Sequence, residues 1–498
     1  MIEEELKFPV GFKWGTATSS YQIEGAVNEG GRSSSIWDRF CRQKGRIHNE
    51  ENGDVSIDHY HCWQEDVDIM ADLGIPYYRF SIAWPRILPD GMKGKVNKEG
   101  VEFYRKLIKR LKAKNIQPVP TLYHWDLPVC IEDETGGWSG DGRIIDEFVA
   151  YARVCYESFG DLCQWWITIN EPWCCAFLGY ETGEQAPGNT DKPGVHVYRV
   201  GHNILLAHAK SVKAYREEFQ PRQKGWIGIT LNSDWAEPID ESSEEAAQRD
   251  LAFTLGWFAD PIYFGDYPKE MREACGDRLP KFTEEERKEV MGSSDFFGLN
   301  HYTTHLVADS EPEQYDAQET SYFKDRNVKI LRDPKWKLTD MGIGIVPWGL
   351  RKLLVYVQNR YNPKGGVYVV ENGLASLEPT VEAALNDKLR EEYMMSYLRE
   401  VKNAMDEGVP VKGYFWWTLI DNFEWAYGYS KRYGMVYVDM ETKERTVKPV
   451  AKLFSRIIRD NALPSVHTRK VPSKVNVSAV DAAGFPIPDP VLTEPLRN

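Results

Sequence analysis

Two glutamates stand where short apolar runs end. Val367-Tyr368-Val369-Val370 leads into Glu371-Asn372-Gly373, and Thr168-Ile169 leads through Asn170 into Glu171-Pro172. A carboxylate in that position is costly if it is buried without partners. Either one alone could cap a helix or sit in an ion pair. Two of them, each beside an asparagine, suggest a working pair. One carboxyl would hold a proton for a leaving oxygen, and the other would be ionised to attack or stabilise an electron-poor carbon. Cleavage of a glycosidic bond needs that division of labour. Other residues at the ends of apolar runs suit a polyhydroxylated partner: Gln22, His124, Trp125, Asn170, Tyr302, Trp417, Glu424 and Trp425. Amide, imidazole and carboxylate groups can chelate adjacent hydroxyls, and indole rings can stack on a sugar's apolar face. The ordinary alternatives are a core histidine at 124, a plain core tryptophan at 417 and a solvated loop charge at 424.

The elements that must position these groups recur along the chain. Eight candidate strands lie near Lys13–Ala17, Tyr77–Ser81, Gln117–Tyr123, Trp165–Asn170, Trp226–Leu231, Phe296–Asn300, Val367–Glu371 and Gly413–Trp417. Helical patterns lie between them, as at Val101–Lys114, Ile145–Phe159, His202–Phe219 and Asp387–Glu407. Alternating strands and helices without internal repeats predict an α/β fold, a single (β/α)8 (TIM) barrel with long βα loops over residues 1–463. A doubly wound nucleotide-binding sheet would need G-x-G-x-x-G after its first strand, and Gly15-Thr16-Ala17-Thr18 does not supply it. The polar stretch 309–340 reads as an irregular excursion. The proline-rich tail 464–498 reads as extended over the barrel or disordered. Asn476-Val477-Ser478 is a formal glycosylation sequon, taken as chance.

Composition narrows the class. Aromatics are 13% of the 498 residues, which suits a carbohydrate partner or a large aromatic core, and composition alone does not separate the two. A net charge of −14 lacks the basic footprint of a nucleic-acid binder and disfavours docking on anionic lipid. There is no run of about 18 apolar residues to cross a membrane. Met1-Ile2-Glu3-Glu4-Glu5-Leu6 does not look like a secretory leader, so a cytoplasmic protein is expected. The eight cysteines show no Cys-x-x-Cys and the ten histidines no His-Glu-x-x-His. Neither a disulfide framework nor a metal or other cofactor is expected, and His59, His61, His202 and His208 read as structural.

The motifs together resemble the family 1 glycoside hydrolases, the β-glucosidase family, from Phe8 to about Leu463. The resemblance is carried by Phe12-x-Trp14-Gly15-x-Ala17-x-Ser19-Ser20-Tyr21-Gln22-x-Glu24-Gly25, Arg79-x-Ser81-x-x-Trp84-x-Arg86, Tyr123-His124-Trp125-Asp126, Thr168-x-Asn170-Glu171-Pro172, Asn300-His301-Tyr302, Glu371-Asn372-Gly373 and Trp416-Trp417-x-x-x-Asp421-Asn422-x-Glu424-Trp425. It implies Glu371 as nucleophile and Glu171 as acid/base, with the carboxyls about 5–5.5 Å apart for retention. Arg79 is then expected beside Glu371, favouring its ionised form, with Tyr302 donating to it. Asn170 is expected on the sugar's 2-hydroxyl. Gln22, His124, Trp125, Glu424 and Trp425 fall to the other hydroxyls, and Trp417 becomes the stacking platform.

Members acting on 6-phosphosugars usually carry Ser where this chain has Glu424. A carboxylate there would repel phosphate, although Lys431 and Tyr433 are kept. The implied activity is a retaining exo-β-glucosidase, similar to intracellular fungal members, acting on cellobiose, short cello-oligosaccharides and aryl β-glucosides. Transglycosylation is expected. Trp173, Cys174, Leu178 and Trp348 are assigned to a leaving-group gate, and a narrow apolar gate would moderate inhibition by glucose. Two positions depart from the pattern: Val370, where Thr is common, and Glu181, where Gly is common. A sugar-binding protein on the same scaffold is the alternative from another class, and the intact Glu171/Glu371 pair argues against it. Another chemistry on the same barrel is the second alternative, since fold does not fix function.

Overall fold

The computed structural model describes residues 6–311, 320–464 and 478–479. Eight parallel strands close into a barrel: β1 (Lys13–Ala17), β2 (Tyr77–Ser81), β3 (Gln117–Tyr123), β4 (Trp165–Asn170), β5 (Trp226–Asn232), β6 (Phe297–Asn300), β7 (Val367–Asn372) and β8 (Val411–Trp417). Each pairs with its sequence neighbours, and β8 pairs with β1 through Gly413–Lys13 to Trp417–Ala17. The outer ring is formed by α1 (His59–Asp72), α2 (Lys98–Ala113), α3 (Arg143–Phe159), α4 (His196–Ala214), α5 (Trp257–Phe264), α6 (Pro347–Tyr361), α7 (Lys388–Asp406) and α8 (Pro449–Asp460). The strand positions agree with the sequence reading because each is a short, buried, β-branched or aromatic run. The helices follow from capping and periodicity. In α2, Asn97 caps the Glu99 amide, and Phe103, Tyr104, Leu107, Ile108 and Leu111 form the buried stripe.

Aromatic side chains fill the barrel. Trp165, Phe296, Tyr368 and Phe415 pack there with Val119, Ile167 and Val370. Trp165 meets Tyr368 edge-on at 4.7 Å and Phe296 at 5.4 Å. Gly15 makes room for this packing, since a Cβ there would lie 2.4 Å from the Phe415 ring.

The stretch 309–340, expected as an excursion or irregular loop, carries regular structure at Tyr322–Arg326 and Val328–Arg332. Trp235–Pro238, Thr304–Asp309 and Val328–Arg332 form a second sheet, with Ser478–Ala479 on its edge and the helix Tyr322–Arg326 beside it. Buried Val328, Ile330 and Leu331 supply the apolar anchor that the surrounding charge conceals in the sequence. Residues 312–319 and, apart from Ser478–Ala479, the tail beyond Pro464 with its sequon lie outside the described residues. Among the described residues no helix is long and apolar enough to cross a membrane.

A buried charge network locks the loops that follow β7 and β8. Lys448, at the start of α8, pairs with Glu378 and with Asp421, the latter at 3.0 Å. Arg390 reaches Glu378 at 2.6 Å and Asp387 at 3.0 Å, and Arg432 reaches Asp421 at 2.8 Å. Removing one partner of such a network leaves an uncompensated buried charge. Lys448→Met should therefore cost about 3–5 kcal/mol of stability in urea unfolding. A loss under about 1 kcal/mol would mean that the loops hold without the network.

Candidate active site

Asn170 and Glu371 owe their direction to a strand irregularity. On β4 the register with β5 slips between Ile167 and Asn170, and on β7 the register with β6 slips between Val369 and Glu371. Each strand inserts one extra residue just before the side chain it re-aims, Asn170 on β4 and Glu371 on β7. Such a bulge interrupts the two-residue alternation and re-aims the next side chain. Trp165, Ile167, Tyr368 and Val370 fill the barrel, whereas Glu171 and Glu371 line a cavity of about 850 Å³ at its C-terminal mouth. Glu171 also takes a left-handed backbone at φ 48°, which an L-residue adopts only when its surroundings hold it there. Its amide donates to the Thr230 carbonyl, and Pro172 begins the short helix Pro172–Tyr180.

The two carboxyls have unlike surroundings. One Glu371 oxygen is ion-paired with the Arg79 guanidinium, and the other accepts the Tyr302 hydroxyl at 2.8 Å. Among the described residues no lysine or arginine forms an ion pair with Glu171, although the Arg79 charge acts on it more weakly. Burial, and then the Glu371 charge, push its carboxyl up to about 8, opposed by hydrogen bonds from Asn300 and the Cys174 thiol. Asn300 donates to Glu171 at 2.6 Å. A carboxyl that keeps its proton at neutral pH, just beyond β4, thus shares the cavity with one on β7 that is paired with a cation. The Asn372-Gly373 part of the motif is structural. Asn372 donates to the His301 carbonyl and accepts from Tyr414, and a Cβ on Gly373 would lie 1.8 Å from the Trp417 carbonyl.

Arg79 also orders the hydrogen bonds around it. A guanidinium can only donate, so the Asn170 Oδ1 that meets it at 2.5 Å must accept. The Asn170 amide nitrogen then faces His124 Nε2 at 3.1 Å. Burial and the Arg79 charge hold the His124 pKa well below its ordinary value, so the ring is neutral. Nε2 accepts, and Nδ1 carries the hydrogen. Nδ1 finds no partner among the described residues, which leaves a buried donor on the cavity wall for a ligand hydroxyl.

The remaining wall is aromatic with Glu424 beside it, and Gln22 is buried behind Glu424, off the cavity lining. Trp417 stacks near-parallel to His124 at 5.8 Å, and Trp425 lies 4.6 Å from Trp125. The Trp125 indole donates to the Asn170 carbonyl, so this residue supports the wall. Gln22 takes Ser19 on its oxygen and gives its nitrogen to Asn422, Phe423 and Glu424. The Glu424 carboxyl is pushed up to about 8, first by burial and then by the Glu371 charge. Lys431 is paired with Asp340 at 2.9 Å, and Tyr433 donates to the Met341 sulfur.

Of the four gate residues, Trp173, Cys174 and Leu178 line the cavity. Trp348 does not. It sits in the first turn of α6, edge-on to Trp336 at 6.4 Å with the Lys352 ammonium over its ring. Asn300 and Asn232 also line the cavity, and the sequence reading gave neither a role. Each is the last residue of its barrel strand, the same signal that selected Asn170. His59 bonds Asp66, His202 bonds Tyr267, and His208 joins Thr168 to Ser293. His61 lies between Asp58 and Glu29.

Comparison with known proteins places this geometry among enzymes of one kind. The sequence model of Glycosyl hydrolase family 1 matches residues 4–463. Beta-glucosidase 4 of Oryza sativa subsp. japonica is 45% identical over 468 residues, covering 91% of this chain and 95% of the relative. A rice β-glucosidase mutant in covalent complex with glucose superposes with a TM-score of 0.87 at 42% identity, covering 90% and 98%. The family 1 β-glucosidase of the fungus Humicola insolens, in complex with glucose, gives 0.87 at 40% identity, covering 92% and 99%.

A carboxyl raised in the folded state binds its proton while the unfolded chain has already released it. Stability is then lost as pH rises from the ordinary carboxylate range towards about 8. Glu171→Gln should unfold about 1–3 °C above the parent at pH 8, with a smaller gain at pH 5. Differential scanning calorimetry at both values checks this, and the absence of any gain at pH 8 would show Glu171 to be ionised and compensated.

Proposed function

The chain belongs to glycosyl hydrolase family 1 as a β-glucosidase, and on that premise we propose that it removes single terminal β-D-glucosyl residues with retention of configuration. Cellobiose, short cello-oligosaccharides and aryl β-glucosides are the substrates. The observation that carries this reading is the unlike pair in one cavity: Glu371 held by Arg79 and Tyr302, and Glu171 buried and protonated. Glu371 attacks the anomeric carbon as Glu171 gives its proton to the glycosidic oxygen and the carbon–oxygen bond breaks. The glucosyl group is left as an ester on Glu371. Glu171, now a carboxylate, takes a proton from an incoming water, which attacks the anomeric carbon and frees Glu371. A second sugar in place of water gives transglycosylation. Arg79 and Tyr302 neutralise charge on Glu371 and then on the departing carboxylate.

Recognition of the sugar follows from the donors and acceptors on the wall. Asn170 is placed for the 2-hydroxyl. His124 Nδ1 offers a donor, Gln22 and Glu424 stand together for the outer hydroxyls beside Trp425, and Trp417 supplies a flat face. With its carboxyl pushed up to about 8, Glu424 supplies no positive charge to hold a phosphate and would meet one as a carboxylate at higher pH, and the Lys431 charge is already met by Asp340. Trp173, Cys174 and Leu178 face the leaving group, and their apolar surface would weaken product glucose there.

Proton NMR of the first sugar released should show β-glucose. Glu171→Ala should lower kcat/KM on cellobiose by about 10²–10⁴-fold and return a β-glucosyl azide from an activated aryl glucoside in azide. Glu371→Ala should lose turnover of both substrates. Release of α-glucose first would reject retention. In a separate assay the parent should prefer 4-nitrophenyl β-glucoside over its 6-phosphate by at least about 10²-fold in kcat/KM. Equal rates would remove the role given to Glu424.

A further inference from the structure

Glu181 has no part in the chemistry above, yet it is buried and lies one residue beyond the helix that carries Trp173, Cys174 and Leu178. The residues that follow it, Thr182 to Gln185, line the cavity. Among the described residues no lysine or arginine forms an ion pair with it. Its two oxygens instead accept backbone amides from two distant segments: Gly194 at 2.7 Å and Tyr322 at 2.7 Å. A buried carboxylate without a cation is a costly way to fill space, so the segments it joins are the relevant feature.

Those segments touch main chain to main chain. Gly194 has φ +64°, and a Cβ there would lie 2.7 Å from the Ser321 nitrogen. Tyr322 is fully buried, and its hydroxyl accepts the Trp173 indole at 2.8 Å and donates to the Phe253 carbonyl at 2.9 Å. Trp173 also stacks on Phe177 at 4.5 Å, and Phe177 lies 4.8 Å from the Tyr322 ring. An unbroken path thus runs from the Glu181 carboxylate through the Tyr322 main chain and phenol to the Trp173 ring.

We propose that Glu181 is a positioning residue for the leaving-group subsite: it clasps the Tyr322 main chain, Tyr322 fixes the Trp173 indole, and the fixed indole selects among leaving groups. The proposal rests on the reading that Trp173 faces the leaving group. A second glucose needs a wall at a set distance and angle to be held for proton transfer. An activated aryl group departs with little help. Hydrolysis of the glucosyl-enzyme involves no leaving group, so that step does not register the clasp.

Glu181→Gln tests this with almost no change of volume. The glutamine amide offers one acceptor and one donor to two N–H groups, so one amide is left facing another donor. Its kcat/KM on cellobiose should fall about tenfold, while kcat on 2,4-dinitrophenyl β-glucoside stays within about twofold. Tyr322→Phe, which cuts the indole contact and keeps the clasp, should shift the same ratio. The double variant should be no worse than the poorer single one. Equal losses on both substrates, or additive losses in the double variant, would overturn the proposal as mere destabilisation. Trp173→Ala separates the premise from the inference. If it alone changes the substrate ratio, Trp173 faces the leaving group and the clasp is rejected. If none of the three changes the ratio, the premise is rejected together with the clasp.

Discussion

The Arg79 guanidinium is the constraint on which the site depends. It is fully buried on β2 and reaches Glu371 on β7 with one nitrogen and Asn170 on β4 with another. A buried cation without its counter-charge would be strongly destabilising, and so would the carboxylate without the cation. Each therefore requires the other. Because the guanidinium can only donate, it fixes the orientation of the Asn170 amide, which fixes the tautomer of His124. The Asn170 oxygen that it selects also accepts Asn300, whose nitrogen reaches Glu171 as well. One charge on a strand that carries neither glutamate thus sets the direction of hydrogen bonds on both sides of the cavity.

Much of this was legible in the sequence, for identifiable reasons. The eight strands were visible because barrel strands are buried on both faces and read as short apolar runs. The residues at their ends were visible because a polar group after such a run is conspicuous, as Asn170, Glu171 and Glu371 show. Asn232 and Asn300 carry the same mark and were passed over because nothing local distinguishes them from turn residues. The bulges before Asn170 and Glu371 were not readable at all, since a register exists only relative to a neighbouring strand. Trp348 was misplaced because its ring is held by Trp336 and Lys352, partners that its own segment does not announce. The second sheet was hidden by charged residues around a small apolar stripe.

The site is built against local preference. Glu171, Trp125 and Trp425 all hold left-handed backbones, and Glu171 and Glu424 are carboxyls kept away from water. The surrounding structure supplies the rigidity that holds them. Asn372 is fastened on three sides, and the Lys448 network braces the loops behind Glu371 and Trp417. Local propensity alone would relax these positions, which is why such strain marks function.

The pairing of Gln22 with Glu424 gives the barrel's closure a second meaning. These residues follow the first and last strands, and β8 meets β1 directly beneath them. The wall assigned to the sugar's outer hydroxyls is thus the seam where the ring is zipped shut. Glu171 and Glu371 stand at the ends of strands held from both sides within the run. A molecule whose seam has parted keeps its reactive groups and loses the means to seat a substrate. By mass action, a sugar that bridges the two edges favours the zipped form over any parted one. For a ligand that reached both edges, occupancy and ring closure would be one linked equilibrium, with the ligand as a clip on the joint between the two ends of the fold.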